Sequence, residues 1–347
     1  MTVQTDVVIV GAGPVGLFQV FELGLQGLSC VVVDALPDPG GQCIELYPDK
    51  PIYDIPAVPM VTGRDLVARL LDQIAPFEAP MYFDQTVESL AKNDDDTFTL
   101  TTSRDIVFTC RAVIIAAGAG SFTPVRLRVD GIDAFEDKQV FYRVRNPDRF
   151  KDKHLVVLGG GDSAVDWALA LADNAASMTL INRTERFRAA EASVEKLMAL
   201  EKAGKASVLF GAVKGFETNA NALASVNVVM RDEQQSKRNI PVDDLLVFFG
   251  LSPKLGPVEQ FGMALEKNLV SVDIETFETT VPNVFAVGDI STYPGKKKLI
   301  LSGFHETAVA ASAIKAKFEP DKKQYTQYTT TSPLLQQRLG VVEGESK

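Results

Sequence analysis

Two short glycine-rich stretches hold the residues whose types and spacing could do chemistry in this 347-residue chain. In GAGPVG, residues 11–16, Gly11 permits a tight turn and Gly13 lets the backbone approach a pyrophosphate. Gly16 lets the following helix pack closely on the preceding strand, with Val15 inside the same turn. The exposed amides and the dipole at the start of that helix favour a diphosphate. Asp34 stands 18 residues beyond Gly16 (34 − 16), where a carboxylate accepts a hydrogen bond from an adenosine ribose hydroxyl. A carboxylate there also repels a 2′-phosphate, so this turn suits FAD or NAD rather than NADP.

GGGDSA, residues 159–164, repeats the device with Ala164 in the last position. Nineteen residues beyond Ala164 (183 − 164) the chain places Arg183 instead of an acid, followed by Arg186 and Arg188. Guanidinium forks there suit a 2′-phosphate. The second turn, through Gly159, Gly161, Asp162 and Ser163, is therefore expected to take NADPH with Arg183 and Arg188. Two different dinucleotides in one chain imply hydride transfer between a nicotinamide and a flavin, with the protein supplying alignment. Such chemistry calls for no nucleophile, metal or general-acid pair, so His154 and His305 are not expected to be catalytic and no metal site is expected.

The elements that must position these turns are legible as alternation. The run VVIV (7–10), a helix through Leu25 and VVVDA (31–35) make a strand–helix–strand unit of a parallel sheet. A second unit starts at His154 and ends at MTLINR (178–183). Between 83 and 110, short alternating strands around NDDD (93–96) read as an antiparallel insertion, and a second insertion turns at DEQQSKRN (232–239). The stretches VIIAAGAG (113–120) and VPNVFAVGD (281–289) read as further buried strands, and an apolar helix follows from about 303 to 317. Gly159 stands 148 residues after Gly11 (159 − 11), the spacing of a duplicated domain and too long for a solenoid repeat. The expected fold is α/β, with two Rossmann-like dinucleotide-binding domains of the three-layer ββα type. The second, 118–282, is inserted into the first, 1–117 and 283–347.

Composition narrows the class. A formal charge of −10 argues against a general nucleic-acid or anionic-membrane binder. Cys30, Cys43 and Cys110 are far apart with no CxxC, as suits a reducing compartment, and the polar start MTVQTD leads directly into a strand, so a cytoplasmic protein without a membrane anchor is expected.

Taken together, the chain resembles the thioredoxin-reductase-like ferredoxin/flavodoxin–NADP reductases over nearly its whole length. The likeness rests on VVIVGAGPVGLF, DALPDPGGQCIELYPDKPIYDIP (34–56), VIIAAGAGSFTP (113–124), LGGGDSAVDWAL (158–169), FRAAEASVEKL (187–197) and VFAVGDISTYPGK (284–296). Thioredoxin reductases carry a redox CxxC just before the second glycine turn; here that region, QVFYRVRNPDRFKDKH (139–154), has no cysteine.

The resemblance implies electron transfer between NADPH and ferredoxin or flavodoxin, with hydride passing to flavin N5 and single electrons to the partner, in a homodimer. It implies FAD contacts from Asp34, from Gln42, from Tyr47 stacking on one flavin face, and from Val87 near the adenine. Phe122 near the FAD, Asp289 at the ribityl chain, and Tyr328 and Thr330 of a C-terminal extension over the other face complete the implied set. One departure is visible: where relatives often show HRR, this chain has Asn182, Arg183 and Thr184. An acidic partner would dock on a local basic patch, either Arg143, Arg145, Arg149, Lys151 and Lys153 or Lys296 to Lys298. Two other readings remain open, an NAD(P)H oxidase or diaphorase and a non-enzymatic redox sensor.

Overall fold

The computed structural model describes residues 2–118, 120–144, 146–323 and 328–338, apart from the side chains of 121–123, 251–254 and 334. The chain forms two compact units, Met1–Phe122 with Pro253–Lys347, and Thr123–Ser252 between them. The second is thus inserted into the first. Its C-terminal boundary falls some thirty residues earlier than the expected 282, for a packing reason. Leu255, Val258, Phe261, Met263 and Val270 bury themselves in one cluster with Val8, Val10 and Val113 of the first unit.

In the first unit, five parallel strands run in the order Val284–Ala286, Ala112–Ile115, Val7–Val10, Cys30–Val33, Met81–Tyr82. These short runs of β-branched residues are buried on both faces, as parallel strands are. Side chains alternate between two cores. Val7, Ile9, Val32 and Ile114 meet the helix layer through Leu17, Val20, Leu66, Leu70, Ala310 and Ile314. Val8, Val10, Val33, Val113 and Ile115 meet Phe98, Leu100, Phe108 and Cys110. Those last four belong to the expected antiparallel insertion, Val87–Lys92, Phe98–Thr102 and Val107–Cys110. Helix, parallel sheet and antiparallel sheet make three layers.

The second unit carries a seven-stranded sheet. Its parallel part includes Asp244–Val247, His154–Leu158, Ser177–Asn182 and the start of Ser207–Asn219, whose later residues pair antiparallel with Ala222–Met230, and Lys237–Pro241 follows antiparallel. Leu155, Val157, Leu180 and Leu246 face the helices Asp162–Ala172 and Glu191–Lys202. Val156, Leu158, Ile181 and Leu245 face Val213, Val226 and Val228 of the antiparallel part, which supplies the third layer.

Candidate dinucleotide sites

Each glycine of the first turn has a distinct steric reason. Gly11 lies at φ +113°, and a Cβ there would sit 2.5 Å from the Ala116 carbonyl oxygen. A Cβ on Gly16 would sit 1.9 Å from the Gly11 carbonyl oxygen, so helix and turn touch only because it is absent. Gly13 is the opposite case, since a Cβ on it would meet nothing within 4 Å. No neighbouring atom of the chain requires that glycine, and the open space over its backbone is one that a diphosphate would fit. Helix Pro14–Leu25 starts there with no side-chain cap and no acid in its first turn, leaving its amides and positive dipole end for an anion.

Asp34 follows strand Cys30–Val33 and closes the turn from the far side. Its carboxylate accepts from the Ala12 N–H and, at 2.8 Å, from the Leu36 N–H. Burial pushes its carboxyl above the ordinary value, with the two backbone donors working against that rise. The GGQ turn lies beside it. The Gly40 N–H donates to the Ala12 carbonyl at 2.8 Å, and a Cβ on Gly41 would approach Gly13 Cα to 3.1 Å. Helix Gln42–Glu45 follows, with Cys43 buried and its thiol directed at the Tyr47 hydroxyl at 3.6 Å. Val87 is buried, two residues past Gln85, whose N–H donates to the Asp34 carbonyl at 3.0 Å.

The Asp289 turn is held against the same helix. Gly288, at φ +77°, and Gly303 both pack on Val15, where a Cβ on Gly303 would come within 2.3 Å. Burial pushes the Asp289 carboxyl up, while Lys296 and Lys298 pull it down. The Tyr47 hydroxyl is also pushed up, first by burial and then by Cys43 and Asp289. The Cys43 thiol and Tyr47 hydroxyl are thus neighbours, and the Asp289 charge is near enough to push both up.

Beneath it lies an ion pair that sequence reading missed. Glu306 is fully buried in helix Ile300–Phe318 and accepts from the Gly288 N–H at 2.6 Å and the Tyr293 hydroxyl at 2.7 Å. Lys296 pairs with the same carboxylate, and its side chain is only 7% exposed. Lys296 is thus not a surface docking residue. The only sequence signal was a lysine and a glutamate ten positions apart, on either side of a turn and the start of a helix.

The second turn copies the first. Gly159, at φ +141°, would put a Cβ 2.4 Å from the Phe248 carbonyl oxygen, and a Cβ on Gly161 would meet nothing within 4 Å. Asp162 accepts from the Ala190 N–H at 3.0 Å, folding the arginine loop back over the helix start, while Ser163 is exposed in its first turn. The strand register corrects one sequence expectation. The Gly11 N–H donates to the Val33 carbonyl, and the Gly159 N–H donates to the Ile181 carbonyl. Ile181 therefore matches Val33, so the counterpart of Asp34 is Asn182, one residue before Arg183. Asn182 is buried and lies so close to Gly160 that a Cβ there would come within 2.4 Å of its amide. A neutral amide replaces the carboxylate that would repel a 2′-phosphate. Arg183 and Arg188 are exposed beside it, and the Arg188 N–H donates to the Gly160 carbonyl at 2.7 Å.

Other expectations are placed as follows. Tyr328 is 69% exposed and Thr330 is exposed too, at the start of the described part of the tail. The Arg338 guanidinium at the end of that tail lies over the Phe77 ring, and Phe77 packs on Gly24 at the end of Pro14–Leu25 away from the glycine turn. The Phe122 side chain and Arg145 lie outside the described residues. Arg149 donates to the Lys138 carbonyl at 2.8 Å, and Lys153 pairs with Asp244, so both have local work in the second unit. His154 is exposed, with Nδ1 2.8 Å from the Ser177 hydroxyl. Among the described residues no group of three or more His, Cys, Asp or Glu is gathered as metal ligands, and no helix is long and apolar enough to cross a membrane.

The model of the pyridine nucleotide-disulphide oxidoreductase family matches residues 5–314. The chain belongs to that family. The chain is similar to a protein of Albidiferax ferrireducens named ferredoxin–NADP reductase, 54% identical over 98% of this chain and 96% of its own length. Another, of Cupriavidus necator, is named ferredoxin–NADP reductase 2 and is 53% identical over 97% of this chain and 91% of its own. In fold, this family member is similar to the thioredoxin reductase of T. acidophilum, with a TM-score of 0.73 at 23% identity, covering 91% of this chain and 99% of the other. The disulphide of the family name finds no counterpart in its cysteines. Cys30, Cys43 and Cys110 are all free and buried, and burial pushes the Cys30 and Cys110 thiols up to about 12.

Proposed function

We propose that the chain is an FAD-dependent ferredoxin–NADP reductase that moves electrons between NADPH and ferredoxin or flavodoxin. The observation that carries this is the pair of matched turns. Each has an open second glycine, and they differ at one register position, Asp34 in one and Asn182 in the other. The full-length likeness to proteins named ferredoxin–NADP reductase supports the same reading.

In this reading the first turn binds FAD. Gly11, Gly13, Val15 and Gly16 shape the diphosphate seat, and Asp34 orients the adenosine ribose. Val87 packs by the adenine, and Gln42, Phe122 and Asp289 hold the flavin end. When bound, FAD supplies the exchange between a two-electron donor and one-electron acceptors. Tyr47 forms one wall of its pocket and limits water there, while Tyr328 and Thr330 of the tail belong to the opposite wall. The buried Glu306, by accepting from the Gly288 N–H, fixes the turn that presents Asp289.

The second turn binds NADPH, with Gly159, Gly161, Asp162 and Ser163 at the diphosphate and Arg183 and Arg188 at the 2′-phosphate. The acting form is a cytoplasmic homodimer. The cysteines take no part, since no two form a vicinal dithiol and all are buried.

The test is anaerobic. The purified protein should be yellow, release FAD on heating, bleach with NADPH and then reduce added ferredoxin or flavodoxin catalytically. A colourless protein that binds no FAD, or one that reduces oxygen or quinones at saturating NADPH while leaving ferredoxin and flavodoxin oxidised, would overturn the reading.

A further inference from the structure

Arg183 and Arg188 lie beside Asn182 in the second unit, and a third guanidinium arrives there from elsewhere in the sheet. Arg231 directly follows strand Ala222–Met230, and its N–H donates to the Phe210 carbonyl at 2.8 Å. Phe210 pairs in register with Asn182, the residue at the acid's position. The backbone of Arg231 is therefore fixed one strand away from the arginine loop, and its guanidinium Nη1 reaches the Arg183 carbonyl at 3.5 Å. That bond is long, and one carbonyl uses a small part of a five-donor fork.

The surrounding charges leave the fork open. Among the described residues, Arg183, Arg188 and Arg231 form no ion pair. Asp232, next in sequence, is occupied by the Ser236 N–H at 2.7 Å and the Ser236 hydroxyl, and Glu185 in the arginine loop is exposed. Three exposed arginines are thus anchored around Asn182: Arg183 next in sequence, Arg188 through its backbone bond to Gly160, and Arg231 across the sheet through its guanidinium bond to the Arg183 carbonyl. Neighbouring guanidinium groups without carboxylates repel one another until an anion lies between them, and a phosphomonoester dianion matches that demand.

We propose that Arg231 is a specificity-determining residue that binds the 2′-phosphate of the adenosine nucleotide. This rests on the NADPH reading of the second site.

The experiment titrates the FAD-containing protein calorimetrically with adenosine 2′,5′-bisphosphate and with adenosine 5′-monophosphate, in wild type, Arg231→Ala, Arg231→Lys and Arg183→Ala. The affinity ratio of the two ligands isolates the 2′-phosphate. Arg231→Ala should lower that ratio about tenfold, Arg231→Lys less, and neither should alter 5′-monophosphate binding. An unchanged ratio in Arg231→Ala, with a lowered one in Arg183→Ala, overturns the proposal and leaves the NADPH reading standing. Equal losses for both ligands in Arg231→Ala also overturn it, by making the residue structural. A wild type that binds both ligands alike overturns the NADPH reading itself.

Discussion

Replacing Gly161 with alanine separates what the fold needs from what the ligand needs. Gly161 lies at φ −98° and ψ 179°, ordinary extended backbone, and its new methyl would meet nothing within 4 Å. It is the N-cap of helix Asp162–Ala172, where alanine is poorer than glycine by roughly 0.5–1 kcal/mol. Against that, alanine restricts the unfolded chain and returns about 0.4–1 kcal/mol. The two terms nearly cancel, so the melting temperature should move by no more than about 2 °C. The methyl instead occupies the open space proposed to seat the diphosphate. KM for NADPH should rise at least tenfold, about 1.4 kcal/mol, with kcat much less affected because ground and transition states lose the contact equally. Gly159→Ala is the control with the opposite pattern. At φ +141° and 2.4 Å from the Phe248 carbonyl oxygen it must destabilise the fold, by several kcal/mol in order of magnitude. Calorimetry and steady-state kinetics on both variants decide the matter. Unchanged NADPH affinity in Gly161→Ala, or a loss of stability as large as that of Gly159→Ala, would refute the argument that this glycine is kept for the ligand.

Further outcomes follow from the same geometry. Asn182→Asp puts a carboxylate at the position proposed to face the 2′-phosphate, so the kcat/KM preference for NADPH over NADH should fall at least tenfold; an unchanged preference would place the adenosine end elsewhere. Glu306→Gln removes the charge that holds Lys296 and weakens the seat of the Gly288 N–H, so FAD should dissociate at least tenfold more readily, read by flavin fluorescence on dilution. Retention equal to wild type would show that the buried pair does not support the Asp289 turn. Burial alone raises the Glu22 carboxyl from 4.5 to about 7, so the folded state disfavours its charged form and stability is lost as pH rises through that window. After discounting for partial exposure, Glu22→Gln should stabilise the protein by about 1 kcal/mol at pH 8. That gain should shrink toward zero as pH falls below 4.5; equal gains at pH 5 and pH 8 in melting curves would contradict the assignment. A triple Cys→Ser variant should keep its ferredoxin-reduction rate, and loss of rate with FAD retained would reveal a redox cysteine.

Much of this architecture was legible because it is local. The runs at 7–10, 30–33 and 154–158 are apolar and β-branched, glycine turns follow two of them, and helices follow the turns, so three signals agree over some twenty residues each. What was not legible depends on pairing between distant segments. Spacing put Arg183 opposite Asp34, but the register of strand Ser177–Asn182 against His154–Leu158 decides that match, and it selects Asn182. Arg231 is 48 residues from Arg183 and is brought to it only by the antiparallel strands between them. Lys296 read as part of a solvated run because its partner, Glu306, sits in an apolar helix whose pattern hides one buried acid. The unit boundary at 252, rather than at the expected 282, has a related origin. Residues 255–270 have little periodicity of their own, and their apolar side chains pack in the core of the first unit with segments far away in sequence.

The distribution of two rare residue types provides separate reporters of how the molecule comes apart. All three cysteines lie in the first unit, and the single tryptophan, Trp167, lies partly buried in the core of the second. Burial pushes the Cys30 and Cys110 thiols up to about 12, so both stay protonated at pH 8, and both are also shielded from reagents. An alkylating agent would therefore label them only when the first unit opens, while indole fluorescence follows the second alone. Labelling rate and emission, followed side by side in rising denaturant, would tell whether the host domain and its insert melt as one cooperative body or in sequence, without a mutation or an attached dye.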